Sequence, residues 1–193
     1  MIYSDTFKFV YLNTPKSGSS SITEMLKRFY GAKSYKDRHD NRIPAEMGDY
    51  FIFASVRHPF ARAISGYSYL VEDLPVDKAF ERFHMISQVD YLYNYDLAIE
   101  ERVSVSSTWK EYATPAKRRL DAVIHLESLV DDFNDLPFVT KKQNAFLCHN
   151  RGNPELRKWE KDDEIWEYIV RNCMDDFTVF GYDKVRSAEP LLS

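Results

Sequence analysis

The chain has 193 residues, enough for one domain with a core of its own and short for two. Apolar residues make up 44% and charged residues 29%, which excludes a disordered or fibrous chain. A net charge of −4 supplies no overall basic field, so nucleic acid is not an expected partner. No apolar run approaches the length that spans a bilayer, and no signal-type leader precedes the first strand. The chain is therefore expected in the cytoplasm without stable membrane insertion, and in the Golgi lumen only if a leader or anchor precedes it. Its two cysteines, Cys148 and Cys173, fit no metal-ligand spacing and read as thiols in a reducing compartment.

The first strong signal is Phe7 to Asn13 (FKFVYLN), a short apolar run expected to be a buried strand. It runs straight into "TPKSGSSSI". From Ser19 to Tyr30 the apolar residues Ile22, Met25, Leu26 and Phe29 recur at helical spacing, and Gly31 is a natural stop. Residues 32–48 are polar and broken by Pro44 and Gly48. Tyr50 to Val56 (YFIFASV) is expected to be a second buried strand, followed by a helix with Pro59 in its first turn. Val76 to Tyr95 reads as helical and aromatic, Ala122 to Leu126 as a third strand, and Asp162 to Phe177 as the last helix. Strand, helix and strand in alternation predict one α/β domain over 1–193, a parallel sheet with helices on both faces.

A glycine–serine turn between a strand and a helix exposes backbone N–H groups at the positive end of the helix dipole. Lys16 adds a full charge there. Gly18 admits close backbone approach, and the hydroxyls of Ser17, Ser19, Ser20 and Ser21 add donors. The turn therefore suits a phosphate or sulfate. Its order is Pro-Lys-Ser-Gly-Ser-Ser-Ser, without the first glycine of G-x-x-x-x-G-K-[ST] and with the lysine ahead of the glycine. That disfavours an ordinary P-loop kinase or GTPase. The second strand ends in "SVRHPFARAISGYSYL". Arg57 stands at its carboxyl end, where open α/β sheets bind ligands, and Ser65 follows two helical turns on. Arg62 reads as a structural ion pair or a surface charge.

These two stretches together resemble the sulfotransferases that use 3′-phosphoadenosine-5′-phosphosulfate (PAPS). "TPKSGSSSI" looks like the family's 5′-phosphosulfate loop, and "VRHPFARAISGYSYL" looks like its 3′-phosphate motif, R-x-P-x-x-R-x-x-S-x-Y. "AVIHLESLVDDF" and "DDFTVFGYD" also resemble the carbohydrate, Golgi-type branch, so the likeness covers most of the chain. The resemblance implies a P-loop-like sulfotransferase fold and sulfuryl transfer from PAPS to a hydroxyl, of a glycan or small molecule, with carbohydrate the first choice. It implies that Lys16 to Ser21 hold the 5′-phosphosulfate, with Lys16 near the bridging oxygen, and that Arg57 and Ser65 hold the 3′-phosphate. It implies no metal.

An acceptor hydroxyl must lose a proton, which calls for a general base. His39, in the irregular stretch between the two motifs, is the first candidate, and Glu46 is its nearest substitute. His58 lies inside the "RHP" motif, His125 in a strand, His84 in an aromatic helix and His149 in a polar loop. The late region 141–159 matches the loop that closes over the nucleotide, with Lys141, Lys142, Arg151 and Gly152 as candidates. Tyr67, Tyr69, Tyr91, Tyr93, Tyr95 and Trp109 are core aromatics or a ring-stacking surface, and Lys110, Lys117, Arg118 and Arg119 a solvated face or a grip for an acidic glycan. Two other readings stay open: a small kinase with a variant phosphate loop, and a nucleotide-binding module without catalysis.

Overall fold

The computed structural model describes residues 1–35, 41, 43–70, 87–93, 120–146 and 162–184, with backbone alone for 67–70. In chain order these form β1 (Ile2–Ser4), β2 (Phe9–Leu12), α1 (Ser19–Phe29), β3 (Lys33–Ser34), β4 (Phe51–Val56), α2 (Pro59–Leu70), α3 (Gln88–Tyr93), β5 (Ala122–His125), α4 (Leu129–Asn134), α5 (Asp163–Asn172) and α6 (Met174–Val179). The chain divides into two compact units. One comprises Met1–Val56 with Gln88–His149, the other Arg57–Ser87 with Asn150–Ser193.

The first unit is built on a five-stranded sheet of order β3-β1-β2-β4-β5. β2, β4 and β5 run parallel, with Leu12 opposite Ala54 and Val56 opposite His125. The parallel expectation holds for these three and fails at the far edge, where β1 lies antiparallel to both β2 and β3. A tight turn over residues 5–8 joins β1 to β2, which suffices for an antiparallel pair, whereas a parallel pair needs a crossover. Helix α1 supplies that crossover between β2 and β4. Its Ile22, Met25 and Leu26 pack with Phe9, Tyr11, Phe53, Ile124 and Phe133 into one core cluster. Fully burying each large side chain contributes about 1.5–3 kcal/mol, so this aromatic layer is the unit's main source of stability.

Helix α1 stops as expected. Gly31 takes a left-handed φ of 58°, and the Ala32 N–H reaches back to the Leu26 carbonyl at 3.2 Å. The Ser4 hydroxyl donates to the Tyr30 carbonyl at 2.8 Å, tying β1 to the helix end. Side chains alternate across the sheet, so Phe9 and Tyr11 of β2 share the α1 face with Phe53 and Ser55 of β4. That alternation places a serine, rather than another aromatic, beneath the turn that opens α1.

In the second unit α2 begins at Pro59, as the missing N–H of proline favours. The Phe60 and Trp166 rings pack at 5.2 Å, and Arg62 Nη1 lies 4.0 Å from Asp176 Oδ2, both side chains buried. The continuous last helix expected over 162–177 is two helices. Asp162 caps α5 by accepting the Ile165 N–H at 3.1 Å, and at Cys173 the backbone leaves helical geometry (φ −121°, ψ 26°) before α6 begins. The break turns Asp176 and Phe177 inward, and Cys173 itself is a buried thiol. Of the expected helix over Val76 to Tyr95, the stretch Gln88–Tyr93 is helical and the remainder lies outside the described residues. Among the described residues, no helix is long and apolar enough to cross a membrane.

Candidate functional site

The turn between β2 and α1 departs from ordinary backbone twice. Lys16 has φ 66° and Gly18, the residue before the helix, has φ 73° and ψ 11°. For glycine this conformation is free, but for lysine a left-handed φ costs about 1–2 kcal/mol. Such strain persists only where surrounding contacts over-determine it. Here Thr14 is pinned from both sides: its N–H donates to the Leu12 carbonyl at 3.1 Å, and its carbonyl accepts the Ser17 hydroxyl at 2.8 Å. Gly18 is also pressed from outside the turn. A Cβ on it would press on Leu126 Cδ1, at the end of the side chain that follows β5, so a larger residue here would have to displace that leucine.

The opening of α1 carries donors that meet no partner among the described residues. Ser21 and Ile22 direct their N–H groups to the Gly18 carbonyl, at 3.1 and 3.3 Å. Those of Ser19 and Ser20 meet no acceptor among the described residues, and no side chain caps the helix. With the half-buried Lys16 on the same turn, the opening of α1 brings backbone amides and a lysine together at the positive end of the helix dipole. The residues present therefore fit the 5′-phosphosulfate end of PAPS. Just ahead of the turn, Asn13 Oδ1 and Thr14 Oγ1 are buried with no hydrogen-bond partner among the described residues, polar atoms that sequence reading did not single out.

The serines of the turn differ from one another. Ser17 is fully buried, and its hydroxyl bonds inward, to the Thr14 carbonyl and to Ser55 Oγ at 2.7 Å. Ser19 is nearly buried, whereas Ser20 and Ser21 are partly exposed. Of the tyrosines, Tyr91 is turned inward and its hydroxyl donates to the Asn13 carbonyl at 3.1 Å, bracing the end of β2 from α3. Burial pushes the Tyr93 phenol above its ordinary pKa, so it stays protonated at neutral pH and is no candidate base.

The second motif belongs to the second unit. Arg57 directly follows β4 and is half-buried, as is Ser65 on α2. His58 is buried, its Nδ1 accepts the Phe60 N–H at 3.3 Å, and its ring lies 5.3–6.0 Å from those of Tyr182, Phe177 and Trp166. It serves the start of α2. Arg62 faces Asp176, as an ion-pair reading of the motif's second arginine requires.

Among the remaining candidates, Glu46 is exposed in a short 3₁₀ turn and Lys141 and Lys142 are exposed. His39, Tyr95, Trp109, Lys110, Lys117, Arg118, Arg119, His84, Cys148, His149, Arg151 and Gly152 lie outside the described residues, as do the side chains of Tyr67 and Tyr69. His125 ends β5 with both its backbone N–H and its Nδ1 on Asp132 Oδ2, at 2.7 and 3.1 Å. No group of three His, Cys, Asp or Glu that could hold a metal occurs among the described residues.

A model of the sulfotransferase family matches the chain over residues 1–183. No curated protein and no solved structure matches it.

Proposed function

The chain belongs to the sulfotransferase family, and from that premise we propose that it moves a sulfuryl group from PAPS to a hydroxyl, with carbohydrate the favoured acceptor class. The observation that carries the reading is the turn itself. It presents amides at Ser19 and Ser20 that meet no acceptor among the described residues, a lysine held in left-handed backbone, and a left-handed glycine set against Leu126.

The bound nucleotide supplies an activated S–O bond. In this reading the backbone of Ser17 to Ser21 holds the 5′-phosphosulfate, and the hydroxyls of Ser20 and Ser21 are available to it. Lys16 stabilises the negative charge that builds on the leaving phosphate oxygen as that bond breaks. Fixed donors of this kind lower a barrier by roughly 3 kcal/mol each. Arg57 and Ser65 bind the 3′-phosphate. His39 takes the acceptor proton as the new S–O bond forms, with Glu46 as the substitute. No step calls for a metal.

Radiolabelled sulfate transfer from PAPS to neutral glycans, acidic glycans and simple phenols tests the reaction and the acceptor class together. Transfer to a glycan supports the full reading. Transfer to phenols alone overturns the carbohydrate assignment. Hydrolysis of ATP in place of any transfer from PAPS overturns the reaction.

A further inference from the structure

Beneath the turn runs a chain of buried hydroxyls. Tyr11 Oη lies 2.6 Å from Ser55 Oγ, Ser55 Oγ lies 2.7 Å from Ser17 Oγ, and Ser17 Oγ lies 2.8 Å from the Thr14 carbonyl. Tyr11, Ser55 and Ser17 are each fully buried. A carbonyl only accepts, so the single Ser17 proton goes to Thr14. Ser17 must then accept from Ser55, and Ser55 from Tyr11. The chain has one polarity, Tyr11 to Ser55 to Ser17 to the Thr14 carbonyl, with every hydroxyl proton committed.

That polarity bears on the turn in two ways. It fixes Ser17 facing the sheet, so this serine offers a bound anion its backbone and not its hydroxyl. It also closes a bond across the left-handed Lys16, from the residue after it to the residue two before it. Ser55 reaches this position because β4 runs parallel to β2, one pleat beyond the pairing of Tyr11 with Phe53. An ordinary buried β-strand has no need of a hydroxyl at this point. An unpaired one here costs free energy, so the serine must be matched by partners on both sides.

We infer that Tyr11 and Ser55 are positioning residues, which hold the turn between β2 and α1 in its anion-binding shape through the Ser17 hydroxyl. The inference rests on the proposed role of that turn as the 5′-phosphosulfate cradle. Neither residue touches the nucleotide. Tyr11 keeps its ring packing against Phe53, 5.1 Å between centroids, when only its oxygen is removed.

Tyr11→Phe and Ser55→Ala test this by calorimetric titration with adenosine 3′,5′-bisphosphate and with adenosine 3′-monophosphate, which lacks the group the turn holds. Melting temperature is followed in parallel. Both variants are expected to bind the bisphosphate about tenfold more weakly, the loss of one buried hydrogen bond, and the 3′-monophosphate within about twofold of the parent. Ser55→Thr, which restores a hydroxyl, should recover most of the loss. A purely structural role lowers the melting temperature and leaves the ratio of the two affinities unchanged, and that result overturns the inference. Should Ser55→Ala not fold, Tyr11→Phe alone decides. A parent protein with no preference for the bisphosphate would instead remove the cradle and the inference with it. Parental preference with unchanged ratios in both variants removes only the positioning role.

Discussion

The two motif turns open their helices in opposite ways. At α1 the amides of Ser19 and Ser20 meet no acceptor among the described residues, and a glycine stands where a side chain would cap. At α2 the first position is Pro59, which has no N–H, and the next amide is taken by His58 Nδ1. The first turn thus offers an anion its backbone. At the second the first helical position has no N–H and the next amide is taken by His58, so in the proposed reading an anion there is gripped by side chains, Arg57 first. The supports differ to match. Neutral hydroxyls brace the first turn from the sheet, whereas α2 is packed by aromatic rings and the buried Arg62–Asp176 pair. A cradle made of main chain tolerates side-chain changes that a side-chain clamp does not.

The contrast breaks most visibly at the residue that is the exception in the first turn. In the proposed reading Lys16→Ala removes a full positive charge from the turn and should lower kcat about 10²- to 10³-fold, with much less effect on nucleotide affinity, because the lysine would act on charge that develops during transfer. Steady-state kinetics against PAPS measures both quantities, and a loss confined to KM would move Lys16 into simple binding. At the second turn the loss should appear in binding. Arg57→Ala should weaken adenosine 3′,5′-bisphosphate by about ten- to a hundredfold, the worth of a charge-assisted hydrogen bond, and leave 5′-AMP unchanged. Equal weakening of both ligands makes Arg57 a structural residue. The smallest effect belongs to Gly18→Ala, with a stability loss of about 1–2 kcal/mol from the left-handed φ. Denaturant titration of Gly18→Ala, Leu126→Ala and the double variant separates that strain from the contact with Leu126. The coupling between the two substitutions should report only the part due to that contact.

Much of the first turn was legible in the sequence. A strand-like run, a lysine, a glycine and four serines before a 3.6-residue apolar period specify a local structure, and α1 begins at Ser19 as that pattern predicts. Pro59 likewise marked the start of α2. What escaped was set by partners distant in the chain. The three residues of β1 are too few to show a period, and they are held by pairing with β2 and β3. The break at Cys173 is one residue long and leaves the apolar spacing on either side intact. The turn's supports were equally hidden, because Ser55, Tyr91 and Leu126 reach it across 38 to more than a hundred residues of sequence, and Tyr11 acts through Ser55. Ser17 shows the limit most plainly. Its type suggested a ligand donor, while its direction, toward the sheet, depends on a serine 38 positions away.

In the proposed reading the chain prefers a nucleotide that carries both a 5′- and a 3′-phosphate. Isothermal titration of the parent protein with adenosine 3′,5′-bisphosphate and with ATP, each without metal, addresses it most directly. The bisphosphate should bind at least about tenfold more tightly, since ATP lacks the 3′-phosphate assigned to Arg57 in the proposed reading. Tighter binding of ATP, or equal binding of the two, would contradict the account.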